Sequence, residues 1–258
     1  MNTKDLVIGE RHFCLFKGEP ATGKSAAASS YPDPYILDLD RRIASVKNFW
    51  RHVMKQPREF EYDQFDNFFK LHEKLEQLKQ LCQFKTIVFD GITTAGDVIL
   101  RTMRETRDPK AKKIMYGGIE ILQIEDYLGE SNGLQMLLDD LEIIALKWGV
   151  HVIVIAHVLK TSEKDIKSKV TTESRTLLTA GKKIAAKLPI RFDECWHFDV
   201  QSAIEVSGAP TFRIMTNHAG DDWAKTALPI PMFIDFTRKS LYDEVMRHVR
   251  AANEVKIL

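Results

Sequence analysis

The sequence predicts an α/β fold, in which helices cover both faces of a mostly parallel β-sheet and an antiparallel hairpin extends one edge. Short apolar runs alternate along the chain with helical patterns, as they do when crossover helices connect parallel strands. These runs are apolar throughout, which is typical of strands that helices bury on both faces. A later stretch has a turn signal between two strand-like segments, which indicates the hairpin.

The predicted parallel strands are short and rich in aliphatic and aromatic residues, and helical patterns separate the early ones. Their continuous apolar character identifies them as interior strands. The four strands are expected at residues 13–16, 35–40, 85–90 and 150–157.

Helices are predicted from apolar spacing and from stop signals. The segment 134–149, LQMLLDDLEIIALKWG, ends on a glycine, which is a common helix stop. A second amphipathic helix is expected at 241–255. A third is expected within 66–84, where the apolar residues recur on one helical face. That face carries Phe68, Leu71, Leu75, Leu78 and Leu81.

The pattern changes after the fourth strand. Residues 160–191 are polar and basic without a clear period, and we expect a loop there. The hairpin follows at 194–217 and turns at 207–210, where Ser-Gly-Ala-Pro favours a turn.

The chain has 258 residues and no internal repeat or low-complexity linker, so we expect one domain over 1–258. Its core would span about 10–236, with a C-terminal helix at about 240–255. The formal net charge is only +1, which excludes a globally basic coat and leaves a local patch as the means of any nucleic-acid contact.

The three cysteines are far apart and lack CxxC spacing, which argues against zinc and disulfides and suits a reducing cytoplasm. The longest apolar stretch is far shorter than the roughly 20 residues of a membrane helix. The start of the chain shows no signal peptide. We therefore expect a cytoplasmic protein without membrane contact.

The stretch GEPATGKS matches the phosphate-binding pattern G-x-x-x-x-G-K-[ST] at every fixed position. Gly18 and Gly23 let successive backbone N–H groups converge on an anion, and the following helix start adds positive potential. Lys24 can reach the β- and γ-phosphates of ATP, and Ser25 can bind Mg²⁺. The predicted nucleotide-binding residues are Gly18, Glu19, Pro20, Ala21, Thr22, Gly23, Lys24, Ser25 and Ala26.

Carboxylates at the ends of neighbouring strands complete the predicted site. Asp90 ends the strand TIVFD and is the candidate second ligand of Mg²⁺. In many ATPases with such a phosphate loop a Glu directly follows this strand, but Gly91 occupies that place here. Asp38 and Asp40 alternate onto one face of the strand YILDLD, and we choose Asp40 to position water because it lies farther out. The alternative is a solvated Asp40 paired with a neighbouring arginine.

His157 ends the fourth predicted strand, at the edge where such sites assemble. It could contact the γ-phosphate and report its loss. A structural histidine is the equally weighted alternative.

The order GEPATGKS, YILDLD, TIVFDGIT, VIVIAHV and a polar loop resembles the RecA-like division of P-loop ATPases. More closely, it resembles the phage nucleotide-binding proteins of that division, some of which are regarded as single-strand annealing or recombination proteins. The segments TESRTLLTAGKKIAAKLPIRFDECWHF and DDWAKTALPIP are similar to later parts of that family. The resemblance covers roughly 10–236.

The resemblance implies roles for individual residues. Asp40 stands where RecA-like proteins have a catalytic Glu, and His157 where RecA has a Gln that couples nucleotide to DNA. Lys225 matches a lysine that reaches the γ-phosphate of the neighbouring subunit, which requires a homo-oligomer, either a ring or a filament. Ala227 occupies the place where related ring ATPases have a following arginine.

The segment 160–191 carries nine basic and three acidic residues, beside the predicted γ-phosphate sensor. A basic loop of this kind could grip a phosphodiester backbone without reading sequence. A solvated charged loop is the alternative. The candidate DNA contacts are Lys164, Lys167, Lys169, Arg175, Lys182, Lys183 and Lys187.

These features together predict an ATP- and Mg²⁺-dependent RecA-like ATPase that acts on single-stranded DNA, in phage recombination or replication. Its catalytic candidates are Lys24, Asp40, Asp90, His157 and Lys225. A single-strand DNA-binding protein is a further possible partner. The alternatives are a ring helicase or helicase loader, a slow ATP-dependent assembly switch, and a small-molecule kinase.

Overall fold

A computed structural model describes residues 11–107, 115–116, 119–164, 171–178, 182–201, 211–218 and 223–255. One large sheet of nine strands and a separate two-stranded ribbon lie in these ranges. The strands of the large sheet are β1 (Phe13–Gly18), β2 (Pro34–Asp38), β3 (Glu61–Asp63), β4 (Thr86–Asp90), β7 (His151–Lys164), β8 (Thr171–Leu177), β9 (Glu194–Gln201), β10 (Thr211–Met215) and β11 (Phe233–Asp235). The ribbon pairs β5 (Met115–Tyr116) with β6 (Ile119–Glu120).

The helices alternate with the early strands, as the sequence pattern predicts. They are α1 (Lys24–Ala28), α2 (Ile43–Asn48), α3 (Phe68–Gln80), α4 (Ile92–Thr106), α5 (Ile124–Trp148), α6 (Lys182–Lys187) and α7 (Leu241–Val255). A π-helical turn, Phe49–Val53, continues α2, and a 3₁₀ turn, Leu188–Arg191, continues α6. None of these described helices is both long enough and apolar enough to cross a membrane.

The order of strands in the sheet is β11-β10-β9-β1-β7-β4-β2-β3, with β8 paired to β7. The strands from β9 to β3 in this order are mutually parallel. The strands β10 and β11 are antiparallel and extend one edge. This arrangement confirms the predicted fold class, and the predicted hairpin is the pair β9–β10. Its predicted turn at 207–210 lies outside the described residues.

Two cores lie on opposite faces of the sheet, because successive side chains of a strand point to opposite faces. In β1, Phe13 and Leu15 pack with α3, α4 and α5. Cys14 and Phe16 face the other way and pack with α1 and α7. Both faces of β1 are therefore buried, which is why its sequence is continuously apolar.

The apolar face of α3 is shorter than its sequence pattern predicts. Leu71, Leu75 and Leu78 are buried, and Phe68 is partly buried against the same core. Leu81 is 72% exposed because α3 ends at Gln80 and the chain becomes extended at residue 81. The predicted stop at Gly149 is confirmed: α5 ends at Trp148, and Gly149 has a left-handed φ of 63°.

The prediction of a polar loop at 160–191 is wrong for the parts of that segment that the structure describes. The strand β7 continues past His157 to Lys164 and pairs antiparallel with β8. Several β-branched threonines lie in these strands, and the pairing satisfies their backbone groups although their sequence is polar. The basic segment is therefore built on a β-hairpin and the short helix α6.

Candidate functional site

The loop between β1 and α1 depends on two glycines. A Cβ atom on Gly18 would lie 2.5 Å from the carbonyl oxygen of Phe198 in β9, so no larger residue fits there. Gly23 has a φ of 84°, and a Cβ on it would lie 3.0 Å from the ring of Phe212. A left-handed φ of this kind suits glycine. The glycine positions of the phosphate-binding pattern thus match the geometry of the loop.

Lys24 folds back along this loop. Its Nζ donates hydrogen bonds to the carbonyl oxygens of Gly18 at 2.9 Å and Glu19 at 2.6 Å. Burial lowers the pKa of Lys24 to about 8, although the negative charges of Asp90 and Asp40 oppose the shift. The amine is therefore held at the centre of the loop, where an anion bound by the loop would meet it.

Asp90 ends β4 beside the loop. Burial raises the pKa of Asp90 to about 6, and a hydrogen bond with the Ser25 hydroxyl opposes that rise. Ser25 and Asp90 thus present a hydroxyl and a carboxylate side by side. Hard oxygen donors of this kind suit Mg²⁺, so the residues present fit the ion that the phosphate-binding pattern implies.

Asp40 lies just beyond the end of β2, near both Asp90 and the loop. One carboxylate oxygen accepts a hydrogen bond from the Thr94 hydroxyl, and the other lies 3.2 Å from His157 Nε2. Burial alone would raise the pKa of Asp40, but the hydrogen bonds with His157 and Thr94 outweigh it and hold the pKa below its ordinary value. The carboxyl is therefore ionised at the carboxyl edge of the sheet.

Asp38 plays a different part, so the expectation that it shares a strand face with Asp40 is wrong. The strand ends at Asp38, and its buried carboxylate accepts hydrogen bonds from the backbone N–H groups of Arg42 at 2.9 Å and Ile43 at 3.2 Å. Gln64 donates a third at 2.7 Å. Asp38 is thus occupied in holding the start of α2.

His157 joins this site to the basic hairpin. Its Nδ1 is buried and has no hydrogen-bond partner among the described residues. Its carbonyl oxygen accepts from the N–H of Leu178, and the Thr93 hydroxyl donates to the Leu178 carbonyl at 2.8 Å. The return end of the hairpin is therefore tied to the turn of α4 that carries Thr94.

The loop and the strand ends border a cavity of about 270 Å³. Its lining brings together the predicted residues Lys24, Ser25, Asp40, Asp90 and His157. Sequence reasoning did not assign a second group of lining residues to the site, formed by Arg42, Ser45, Val46, Phe49 and Phe212. The signal available for the α2 members was their spacing after Asp40, but Phe212 reaches the cavity only through the pairing of β10 with β9.

Lys225 is not brought to this cavity. Its backbone pairs with Cys195 of β9 through hydrogen bonds of 2.8 and 2.9 Å, and its side chain is exposed. Cys195 pairs with Leu15, whereas the phosphate loop begins at Gly18 at the end of the same strand. Within its own chain, Lys225 therefore lies away from the loop.

The candidate DNA contacts are only partly within the described residues. Lys164 lies at the end of β7, Arg175 in β8, and Lys182 and Lys183 in α6. Lys187 ends α6 with an exposed side chain. Lys167 and Lys169 lie outside the described residues.

Comparison with known proteins identifies one family. The family model AAA_24, described as an AAA domain, matches residues 12–227. This range includes the phosphate loop, the strand-end carboxylates and Lys225. No curated protein matches the chain.

Proposed function

The chain belongs to the AAA domain family AAA_24 and is a P-loop AAA-type ATPase domain, and from this premise we propose that it hydrolyses ATP on single-stranded DNA, in phage recombination or replication. The observation that carries the ATPase proposal is the grouping of Lys24, Asp90 and Asp40 around one cavity. The DNA and phage parts depend on the basic segment and on the resemblance to phage RecA-like proteins.

In the proposed reaction, the loop N–H groups and Lys24 bind the phosphates of ATP. Ser25 and Asp90 would hold Mg²⁺, whose charge offsets that of the phosphates. Asp40 accepts a proton from water while the water oxygen attacks the γ-phosphorus. The bond from that phosphorus to the bridging oxygen breaks, and its electron pair leaves with ADP. Thr94 and His157 orient the Asp40 carboxylate.

The base of the nucleotide would lie at the far end of the cavity, against aromatic side chains. Phe49 and Phe212 meet edge to face with their ring centroids 5.7 Å apart. Both line the cavity on the side of Val46. An adenine ring can stack on such a surface without a base-specific hydrogen bond.

Single-stranded DNA is the proposed second ligand because the basic segment is continuous with the strand that carries His157 at the site. The strand β7 carries His157 at the cavity and continues into the hairpin, and the Thr93–Leu178 hydrogen bond closes the hairpin against α4. A DNA strand whose phosphates are bound by this segment could thus alter the contacts of His157 with Asp40. Contacts made by lysines to phosphates are independent of sequence.

The deciding experiment measures ATP hydrolysis by the purified protein with and without single-stranded DNA, with Lys24→Ala as the blank. We expect hydrolysis that the Lys24→Ala variant lacks and that DNA stimulates. A hydrolysis rate that DNA does not change would contradict the DNA proposal and favour a slow assembly switch. Gly91 is consistent with slow hydrolysis because it stands where many P-loop ATPases have a Glu. Equal hydrolysis by Lys24→Ala would contradict the ATPase proposal itself.

A second experiment tests the DNA-binding segment. Neutralising Lys182, Lys183 and Lys187 should weaken binding of single-stranded DNA and lower the salt slope by about 2, since each lost phosphate contact removes roughly 0.7 from it. The matched control neutralises three lysines on other surfaces, Lys70, Lys85 and Lys239. An unchanged slope in the first variant, or an equal change in the control, would contradict the assignment.

A further inference from the structure

We infer that Arg42 is a catalytic cation that acts in cis, on the terminal phosphate of the nucleotide bound by its own chain. The inference rests on the proposed ATPase function and adds a residue to it. It is carried by the position of Arg42 on the cavity wall and by a guanidinium that makes no hydrogen bond or ion pair among the described residues, although its charge acts on Asp40 and Lys24.

The two arginines that follow Asp40 have different surroundings. Arg41 has a left-handed φ of 56°, and its guanidinium lies 3.9 Å from the carboxylate of Asp66, away from the cavity. Arg42 is fixed at the backbone by Asp38, which accepts a hydrogen bond from its N–H. Its side chain is exposed, lines the cavity and forms no ion pair or side-chain hydrogen bond within the ranges described. Of the two, only Arg42 is therefore placed to meet a ligand.

The direction of α2 places Arg42 at the phosphate end of the cavity. Arg42, Ser45, Val46 and Phe49 are separated by three, four and seven residues, so they form one helical stripe. Phe49 lies at the aromatic end of this stripe, against Phe212. The opposite end begins two residues after Asp40, which contacts His157. A nucleotide with its base at Phe49 would point its last phosphate towards Arg42.

Apart from Arg42, the phosphate end of the cavity has little positive charge to balance the negative charge of a triphosphate. Lys24 is the one cationic side chain among the predicted loop residues. The pKa of Lys24 is lowered chiefly by burial and to a smaller extent by the charge of Arg42, so the guanidinium acts within range of the loop. A guanidinium matches two phosphate oxygens at once and stabilises the charge that develops during transfer.

The test compares Arg42→Ala and Arg42→Lys with Arg41→Ala, which removes the same charge one residue away. For Arg42→Ala we expect kcat to fall by about 100-fold, the size found for loss of one charge-stabilising donor. Affinity for a non-hydrolysable ATP analogue should fall more than affinity for ADP, because only the former has the terminal phosphate. Arg42→Lys should recover part of kcat, and Arg41→Ala should match the parent protein. Equal kcat in Arg42→Ala and Arg41→Ala would overturn the inference.

Mixing variants separates action in cis from action in trans. A cis residue predicts that Arg42→Ala mixed with Lys24→Ala stays inactive, since neither chain holds both residues. Recovery of activity on mixing would overturn the cis assignment. Failure of the proposed function looks different: Lys24→Ala would then bind and hydrolyse ATP as the parent does. If Lys24→Ala is inactive and Arg42→Ala is fully active, only this inference is wrong.

Discussion

At the scale of single residues, Asp38 and Asp40 show how two similar side chains acquire different tasks. The carboxylate of Asp38 is buried and saturated by two backbone N–H groups and Gln64. The carboxylate of Asp40 is held by a hydroxyl and an imidazole at the cavity. The first arrangement stabilises a helix start, and the second leaves a carboxylate at the wall of the cavity.

Substitution of the two residues should separate these tasks. We expect Asp40→Asn to lower kcat by about 100-fold or more, because it removes the group that accepts the proton, with little change in Tm. We expect Asp38→Asn to lower Tm instead, because an amide accepts the backbone N–H groups less well than a carboxylate. Steady-state ATPase kinetics and thermal unfolding of both variants check this. Full turnover in Asp40→Asn would place the water-positioning group elsewhere.

Some members of the site could be read from the sequence and others could not. Lys24, Ser25 and Asp90 belong to local patterns that describe strand, loop and helix start together. Phe212 lies in the predicted hairpin, where it pairs with Val200, but that hairpin reaches the cavity only because β9 pairs with β1, which is distant in sequence, and no local pattern reports that pairing. Arg42 differs from Arg41 only by its surroundings, which the sequence does not show.

A buried pair of histidines should make stability depend on pH. His12 donates its backbone N–H to His151 Nδ1, and burial lowers the pKa values of His12 and His151 to about 3 and about 4. Below the unfolded pKa of about 6.5, the unfolded chain takes up protons that the folded chain refuses. The contribution of these two histidines to the free energy of unfolding should thus be fully present above pH 6.5. It should fall as the pH drops towards 4, by up to about 2.7 kcal/mol per pH unit for the two groups together.

Urea unfolding between pH 7 and pH 4.5 measures this slope. The variant His12→Phe removes one of the two groups and should lower the slope by about 1.4 kcal/mol per pH unit, whatever it does to stability at pH 7. The exposed His52 provides the control, since His52→Gln should leave the slope unchanged. A slope that His12→Phe leaves intact would assign the acid sensitivity to other groups.

At the scale of elements, the sequence predicts those strands and helices whose burial is complete. The strands β1, β2 and β4 and the first half of β7 are largely apolar because both faces are covered. The sequence did not predict the polar outer part of β7 and the strand β8, because their sequence is polar and lacks a strand period, whereas their backbones pair with each other. The strands β3 and β11 have three residues each, too few for a periodic signal.

The contact between α4 and α5 provides a test of close packing. A Cβ on Gly133 of α5 would lie 3.0–3.3 Å from the side chain of Ile99 on α4. We expect Gly133→Leu to lower the free energy of unfolding by about 1–3 kcal/mol, since overpacking forces the helices apart. The neighbouring Asn132 is exposed, so Asn132→Leu is the matched control. Equal stability of both variants in urea would show that the interface accommodates the side chain.

At the scale of the whole molecule, the parallel order of the strands explains why the site forms where it does. The carboxyl ends of β1, β4 and β2 meet at one edge beside the middle of β7, where Gly18 aligns with His157 and Asp38 with Asp90. A site at the carboxyl edge is the general consequence of this topology. Lys225 belongs to a different part of the sheet, so the fold alone gives it no role in its own cavity.

The last prediction concerns this exposed lysine, which the resemblance to RecA-like proteins assigns to the γ-phosphate of a neighbouring copy. If that assignment holds, Lys225→Ala should bind ATP as the parent does but hydrolyse it at least 10-fold more slowly, because charge stabilisation in transfer is lost. Mixing Lys225→Ala with Lys24→Ala should restore part of the activity, since one chain supplies the loop and the other the lysine. Lys85, exposed before β4, supplies the control Lys85→Ala. A mixture that stays inactive would exclude action in trans. Mixing Arg42→Ala with Lys24→Ala is expected to restore no activity. The two mixtures together therefore distinguish a residue that acts on the nucleotide of its own chain from one that acts on the nucleotide of a neighbouring copy.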